Sequence, residues 1–284
     1  MSAPVRLLLR CASEHIVTLS RNPSPVMKVL HVSPHFVIVD KPPDVVINTC
    51  YPDKYPITVE TMLKRVHPEL VDETVEHSFR FCHRLDFSTS GVLCLALTKE
   101  SGRAAYHAFN DRRTRKYYIA VLRGHVNGER LLLNHPIGKD SREGHKHKMC
   151  TGDKLYCESP RESSTRLLVL HRGLLSGKPA TKVLLKPITG RRHQLRIHCD
   201  VLGHPIVGDF TYDDDKTSPR MFLHACRLVV PTEIEDVDVT TEDPFTAAVD
   251  SQIDWKPDDG RMEIERLPFA DMDDESKWND VAVT

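Results

Sequence analysis

Residues 81–98 read FCHRLDFSTSGVLCLALT, and the first half differs in kind from the second. A His, an Arg and an Asp fall within four residues, three small hydroxyl residues and a glycine follow, and the chain then turns apolar. An apolar run of this length after turn residues predicts a buried strand over 92–98. The small residues Ser88 to Gly91 predict a turn that leaves Asp86 exposed at the mouth of that strand. A carboxylate so placed can be a nucleophile, a general base or half of an ion pair. On this motif alone, an Asp86 that pairs with Arg84 or another arginine and pins the loop is the better account, because ion pairs outnumber catalytic carboxylates.

Upstream, MKVLHVSPHFVIVDKPP (27–43) has apolar runs at 29–32 and 36–39 on either side of Ser-Pro, which predicts strand, turn and strand, closed by Lys41-Pro42-Pro43. Apolar residues at 59, 62, 63 and 66 have helical spacing. Downstream, ESGRAAYHAFNDRR (100–113) reads as a short helix and RRHQLRIHCDVLG (191–203) as a helix whose chain turns at Gly203. KYYIAVLRGHV, RLLLNHPIG, RLLVLHRGLL, TKVLLKPITG and FLHACRLVV read as strands. The short links between strands predict an α+β fold with a mixed, largely antiparallel central sheet and flanking helices, not a doubly wound parallel sheet.

The 284 residues, 40% hydrophobic and 28% charged, suffice for one large domain or two small ones. No apolar run approaches the length that spans a membrane. The eight cysteines form no Cys-x-x-Cys pair, and several, such as Cys94, sit in apolar runs, which favours a reducing compartment and the cytoplasm. Residues 1–26, with three Arg and one acid, read as a disordered extension or a weak mitochondrial targeting segment. The net charge of −1 conceals a split: residues 233–284 hold seventeen acids and four bases, leaving thirty-five bases against twenty-three acids before them. A basic body suits a polyanionic partner or a plain solvated surface. The acidic stretch 248–284 is expected to be a flexible tail that competes for the basic surface.

Two further clusters shift the balance at Asp86. TGRRHQLRIHCDVLGHPIVGDFTY (189–212) carries Arg191, Arg192, Arg196, His193 and His198 within eight residues, and at helical spacing Arg192 and Arg196 share a face that could grip a carboxylate or a phosphate. RTRKYYIAVLRG (113–124), with Arg112 just before it, sets two tyrosines behind four cations in five residues, a pattern suited to stacking an unpaired base while cations hold its phosphates. Strand alternation sends Tyr117 and Tyr118 to opposite faces, so one of the two is core and its hydroxyl is expected to matter little. His145, His147, Cys150 and Cys157 are possible zinc ligands, but their spacing fits no standard zinc pattern. There is no phosphate-loop, dinucleotide or serine-elbow motif.

In order and spacing these segments resemble the RluA-type family of pseudouridine synthases, and most of all its eukaryotic RNA pseudouridylate synthase domain-containing members. The resemblance rests on VDKPP, HRLDFSTSG, KYYIA, GRRHQLRIH, GHPIVGD..Y and LHA, in that order, and covers residues 27–247. It implies a catalytic domain of the pseudouridine synthase fold with a catalytic cleft. Asp86 would be the catalytic aspartate, Tyr118 would pack on the uracil and assist a late proton transfer, and Arg196 would pair with Asp86. Arg84 would help open the RNA stack, with His83, Thr89, Lys116, Arg191, Arg192, His193 and Gln194 as further substrate contacts. The implied reaction isomerises a uridine of tRNA, rRNA or mRNA without metal or cofactor. Asp44 departs from the family, standing where many members have Gly. The competing expectation is a catalytically silent RNA-binding protein on the same fold; a metal-dependent hydrolase using the His/Cys loop is weaker still.

Overall fold

The structure, a computed structural model, describes residues 8–10, 16–18, 25–260, 267–279 and 281. Within the stretch expected to be disordered or a targeting segment, β1 (Leu8–Arg10) and β2 (Ile16–Thr18) pair as an antiparallel hairpin. Most of the other residues before 27 lie outside the described ones. β3 (Lys28–Val32) and β4 (Phe36–Lys41) form the antiparallel pair legible in the sequence, and Ser33 closes their turn by accepting from the His35 and Phe36 N–H groups.

α1 (Val59–Val66) begins at Thr58, whose hydroxyl accepts from the Thr61 N–H while the Thr61 hydroxyl accepts from the Thr58 N–H. This reciprocal cap satisfies two otherwise orphaned donors. β5 (Arg80–Phe81) leads into the Asp86 loop, which is followed by β6 (Ser90–Ala96) and α2 (Lys99–Asn110). Thr98 is the N-cap of α2 and not the end of a strand; its hydroxyl accepts from the Ser101 N–H. Val37, Val39, Leu93 and Leu95 pack with Val59 and Leu63 of α1, whereas Phe36, Ile38, Cys94 and Ala96 pack with Ala105 and Ala108 of α2. Both faces of β4 and β6 are therefore covered, and a strand with no wet face has no reason to alternate. Burying each larger aliphatic side chain here contributes about 1.5–3 kcal/mol.

β7 (Arg115–Arg123) and β8 (Arg130–Leu133) follow, and β9 (Ile137–Asp140), β10 (Met149–Thr151) and β11 (Cys157–Arg161) make a small separate sheet. The hairpin β12 (Thr165–Leu175) and β13 (Lys178–Pro187) precedes α3 (Gln194–Val201), then β14 (Leu223–Val230), β15 (Val237–Thr240), β16 (Trp255–Pro257) and α4 (Phe269–Asp273). The main sheet has eleven strands in the order β16-β12-β13-β7-β14-β6-β4-β3, with β15, β5 and β8 paired to β14, β6 and β12. Its pairings are antiparallel except for β14 with β6. There Ala225 lies opposite Gly91, whose φ is 113° and whose Cβ, were there one, would stand 2.3 Å from Ala225 O. Only glycine permits that approach, so the last residue of HRLDFSTSG joins the two halves of the sheet.

The described residues after 248 do not form the free tail expected of that stretch. β16 pairs with β12, and Trp255, Met272 and Trp278 are buried in the main core. On α4, Asp273 accepts from the Tyr117 hydroxyl at 2.6 Å, from Lys186 at 2.7 Å and from Arg115 at 3.2 Å. Three widely spaced large residues anchor this segment, which leaves no periodicity to detect, and several of its acids pair with cations of the sheet.

Candidate active site

The loop that carries Asp86 is pinned from three sides. Lys41, fully buried at the end of β4, donates from Nζ to Pro42 O and Val45 O at 2.8 Å and to Phe87 O at 2.9 Å. Burial draws its pKa down to about 7. Below, Leu85 is buried, and the Thr89 N–H donates to Asp86 O at 3.2 Å. On the third side, His83 Nε2 accepts from the Cys94 N–H at 3.0 Å while its ring stacks on Phe109. An accepting nitrogen requires a neutral ring, and burial lowers the His83 pKa to about 3. His83 thus braces the loop against β6 while also lining the cleft. The Asp86 side chain remains 29% exposed.

Arg196, on the first turn of α3, faces that carboxylate. Its Nε and Nη2 each donate to Asp209 at 2.7 Å, and Nη1 points to Asp86 Oδ2 at 3.3 Å. Asp209 is wholly buried and also accepts from the Thr211 N–H. Burial alone would weaken the Arg196 charge, but the two bonds to Asp209 more than offset it and hold its pKa above the ordinary value. A fork held on one edge by a buried carboxylate presents a fixed third nitrogen on the other. Gly208 sets Asp209 in place: its φ is 81°, and a Cβ would meet Arg220 O at 1.9 Å. His193 precedes α3 in the left-handed region at φ 55°. Its Nδ1 lies 2.8 Å from the Tyr212 hydroxyl and its Nε2 3.9 Å from Asp86 Oδ2. Burial holds the His193 pKa down to about 4.

Tyr118 and Lys116, two apart on β7, line the same cleft as Asp86, while Tyr117 between them is buried on the other face. Desolvation, followed by the Asp86 charge, raises the Tyr118 phenol above its ordinary pKa. Lys116 passes within 5.9 Å of the Phe109 ring and has no acidic partner among the described residues. Arg84 is exposed on the rim, likewise without an acidic partner among the described residues. Arg191 and Arg192 also border the cleft, donating to Glu162 O and His147 O. Thr89 is buried in its wall. Gln194 is spent internally: its oxygen accepts from Thr189 Oγ1 and the Arg191 N–H, and its nitrogen donates to Ser164 O and Thr165 Oγ1. With all four polar positions occupied, Gln194 holds the start of α3 at the cleft wall. The cleft encloses about 1460 Å³, room for a nucleotide together with its neighbours.

Sequence reasoning passed over Lys41, Asp209 and Tyr212 individually, though it quoted the segments that contain them. It met Asp44 only as a departure from the family. That residue has φ 56°, a left-handed conformation that glycine takes freely and aspartate tolerates. Its carboxyl lines the cleft beside Ser88, its pKa raised by burial. The possible zinc ligands His145, His147, Cys150 and Cys157 do not converge into a group of three with ligand atoms within 4.8 Å.

A buried Arg–Asp pair aimed at a part-exposed carboxylate, with a phenol and unpaired cations on one wall, defines a site for acid–base or nucleophilic chemistry on a polyanion. A family model described as RNA pseudouridylate synthase matches residues 35–200. The chain belongs to that family. It is 45% identical over 245 residues to RNA pseudouridylate synthase domain-containing protein 1 of Mus musculus, covering 85% of this chain and 79% of that one. It is 33% identical over 210 residues to the dual-specificity RNA pseudouridine synthase RluA of Pasteurella multocida, covering 72% of this chain and 86% of that one. Among solved structures, human RNA pseudouridylate synthase domain containing 1 superposes with a TM-score of 0.75 at 39% identity, over 93% of this chain and 99% of that one. The pseudouridine synthase fold expected from the motifs is thus the fold present.

Proposed function

We propose that this chain converts uridine to pseudouridine in RNA, with Asp86 as the catalytic residue. The observation that carries the assignment is the Asp209–Arg196–Asp86 line, which holds one cleft carboxylate against a fixed cation while leaving it open to substrate. In the reaction the N1–C1′ bond breaks, the uracil turns while held, and C5 bonds to C1′. The hydrogen displaced from C5 is balanced by one gained at N1, so the base changes its attachment and not its composition. Asp86 opens the sequence by attacking C1′ or by taking the 2′ proton. Tyr118 covers the uracil; being a phenol at neutral pH, it serves the C5 proton as a relay that gives one proton as it receives another.

The target base must leave its stack at a cost of roughly a few kcal/mol, which favours loops and single-stranded sites. Lys116, Arg84, Arg191 and Arg192 on the walls and rim supply the phosphate contacts. The RNA is a tRNA, rRNA or mRNA; free thiols at seven cysteines, an exposed Cys50 among them, favour an encounter in a reducing compartment such as the cytoplasm. Pseudouridine mapping of total RNA from cells with and without the gene tests the whole assignment. Loss of one or more pseudouridines that return with the wild-type gene and not with Asp86→Asn is the expected result. An unchanged map would refute it.

A further inference from the structure

We propose a binding site for a divalent zinc-type cation at Cys50, Glu76 and His77, beside the cleft and apart from its chemistry. Ligand atoms of the three residues lie within 4.8 Å of one another, and Cys50 Sγ is 3.9 Å from Glu76 Oε1. A tetrahedral ion with the usual Zn–S and Zn–O lengths separates those two ligands by about 3.5 Å, so little movement is needed. The donor set suits the ion: a thiolate and a carboxylate balance its two charges, an imidazole adds the third bond, and water fills the fourth position. Binding releases the thiol proton, which the Cys50–Glu76 contact now holds.

The surroundings carry a second feature of metal sites. Glu60, buried on α1, places Oε2 3.3 Å from His77 Nδ1 and is itself held by Lys64 at 2.8 Å. A metal on Nε2 leaves Nδ1–H to donate to Glu60, the outer carboxylate that fixes the tautomer of a metal-bound histidine. Glu60 is also tied by its N–H to Ile47 O. The ion would then clasp two loops that both run to the cleft. One passes from Asn48 in the cleft wall to Cys50, and the other from His77 through β5 to the Asp86 loop.

The test uses the full chain, reduced and freed of metal, titrated with Co²⁺ and then with Zn²⁺. One equivalent of Co²⁺ should give a near-ultraviolet thiolate-to-cobalt band that Zn²⁺ displaces, and Zn²⁺ should slow alkylation of Cys50 by iodoacetamide at least tenfold. Cys50→Ser and His77→Gln should each abolish the band. Glu60→Gln should keep it but weaken affinity by about 10–100-fold. Absence of the band, a band that survives in Cys50→Ser, or equal alkylation of Cys50 with and without Zn²⁺ would overturn the site. These readouts involve no RNA and no turnover, so they stand or fall apart from the synthase assignment.

Discussion

Asp209→Asn isolates the clamp behind the catalytic carboxylate. Asp209 is wholly buried, touches no open part of the cleft, and takes two bonds of 2.7 Å from Arg196. The substitution keeps its shape and one accepting oxygen but removes the charge that balances a guanidinium buried to the same depth. Breaking a buried pair costs 3–5 kcal/mol, and the retained oxygen places this change near the lower end, about 3 kcal/mol. For a chain of this size that is a fall in Tm of roughly 6 °C or more. The guanidinium then has Asp86 as its one close carboxylate among the described residues, and should draw toward it from 3.3 Å. An Asp86 so captured is a poorer nucleophile or base, and turnover should fall by at least about tenfold, equivalent to 1.4 kcal/mol in the barrier. RNA affinity should hold, because no cleft cation is lost. The assays are denaturant unfolding, release of tritium from C5 of labelled uridine in RNA, and filter binding. In an Asp86→Asn background the loss of stability should differ by at least about 0.5 kcal/mol, since both carboxylates share Arg196. Wild-type Tm and wild-type turnover in Asp209→Asn would refute the clamp.

Asp86→Asn should abolish product while leaving fold and RNA affinity nearly intact; turnover at a hundredth of the wild-type rate would exclude the carboxylate as the reacting group. Tyr118→Phe should bind RNA normally but stall in the late proton transfer, seen as accumulated intermediate in rapid quench. Tyr117→Phe, expected from the sequence to be near neutral, should instead cost about 1–3 kcal/mol in denaturant unfolding, because its hydroxyl donates to the part-buried Asp273. Truncation after Thr246 should lower stability and soluble yield through loss of Trp255, Met272 and Trp278 from the core; unchanged stability with tighter RNA binding would restore the picture of a competing tail. Acid should destabilise the protein between about pH 6.5 and 4. His83, His193, His198 and His224 are held neutral in the fold, down to about 3 or 4, so their contribution is present above the unfolded value and lost as pH falls. At pH 5 each contributes roughly 2 kcal/mol less than at pH 7, partly offset by Asp40 and Asp44, whose raised values work in the opposite sense. Equal unfolding midpoints at pH 7 and pH 5 would contradict this.

Local chemistry was legible in the sequence wherever one short segment carried it. The apolar run after Gly91 announced a strand covered on both faces, and the hydroxyls before it announced a turn with Asp86 at its mouth. The alternation of Lys116, Tyr117 and Tyr118 assigned the two rings to opposite faces, and the motif order named the family. What the sequence could not reveal was partnership across the chain. His83 and Gln194 look like plain substrate contacts in their motifs, yet His83 Nε2 accepts from the Cys94 N–H and Gln194 bonds backbone and buried hydroxyls, partners that only folding brings near. Asp209 lies thirteen residues from Arg196 and one hundred and twenty-three from Asp86, so its grip on the one and its influence on the other arise only when α3 packs over the Asp86 loop. The acidic C-terminal stretch looked solvated because its charges are counted before their partners are known. Composition records how many charges a segment has, whereas the fold decides which of them meet a cation and which meet water.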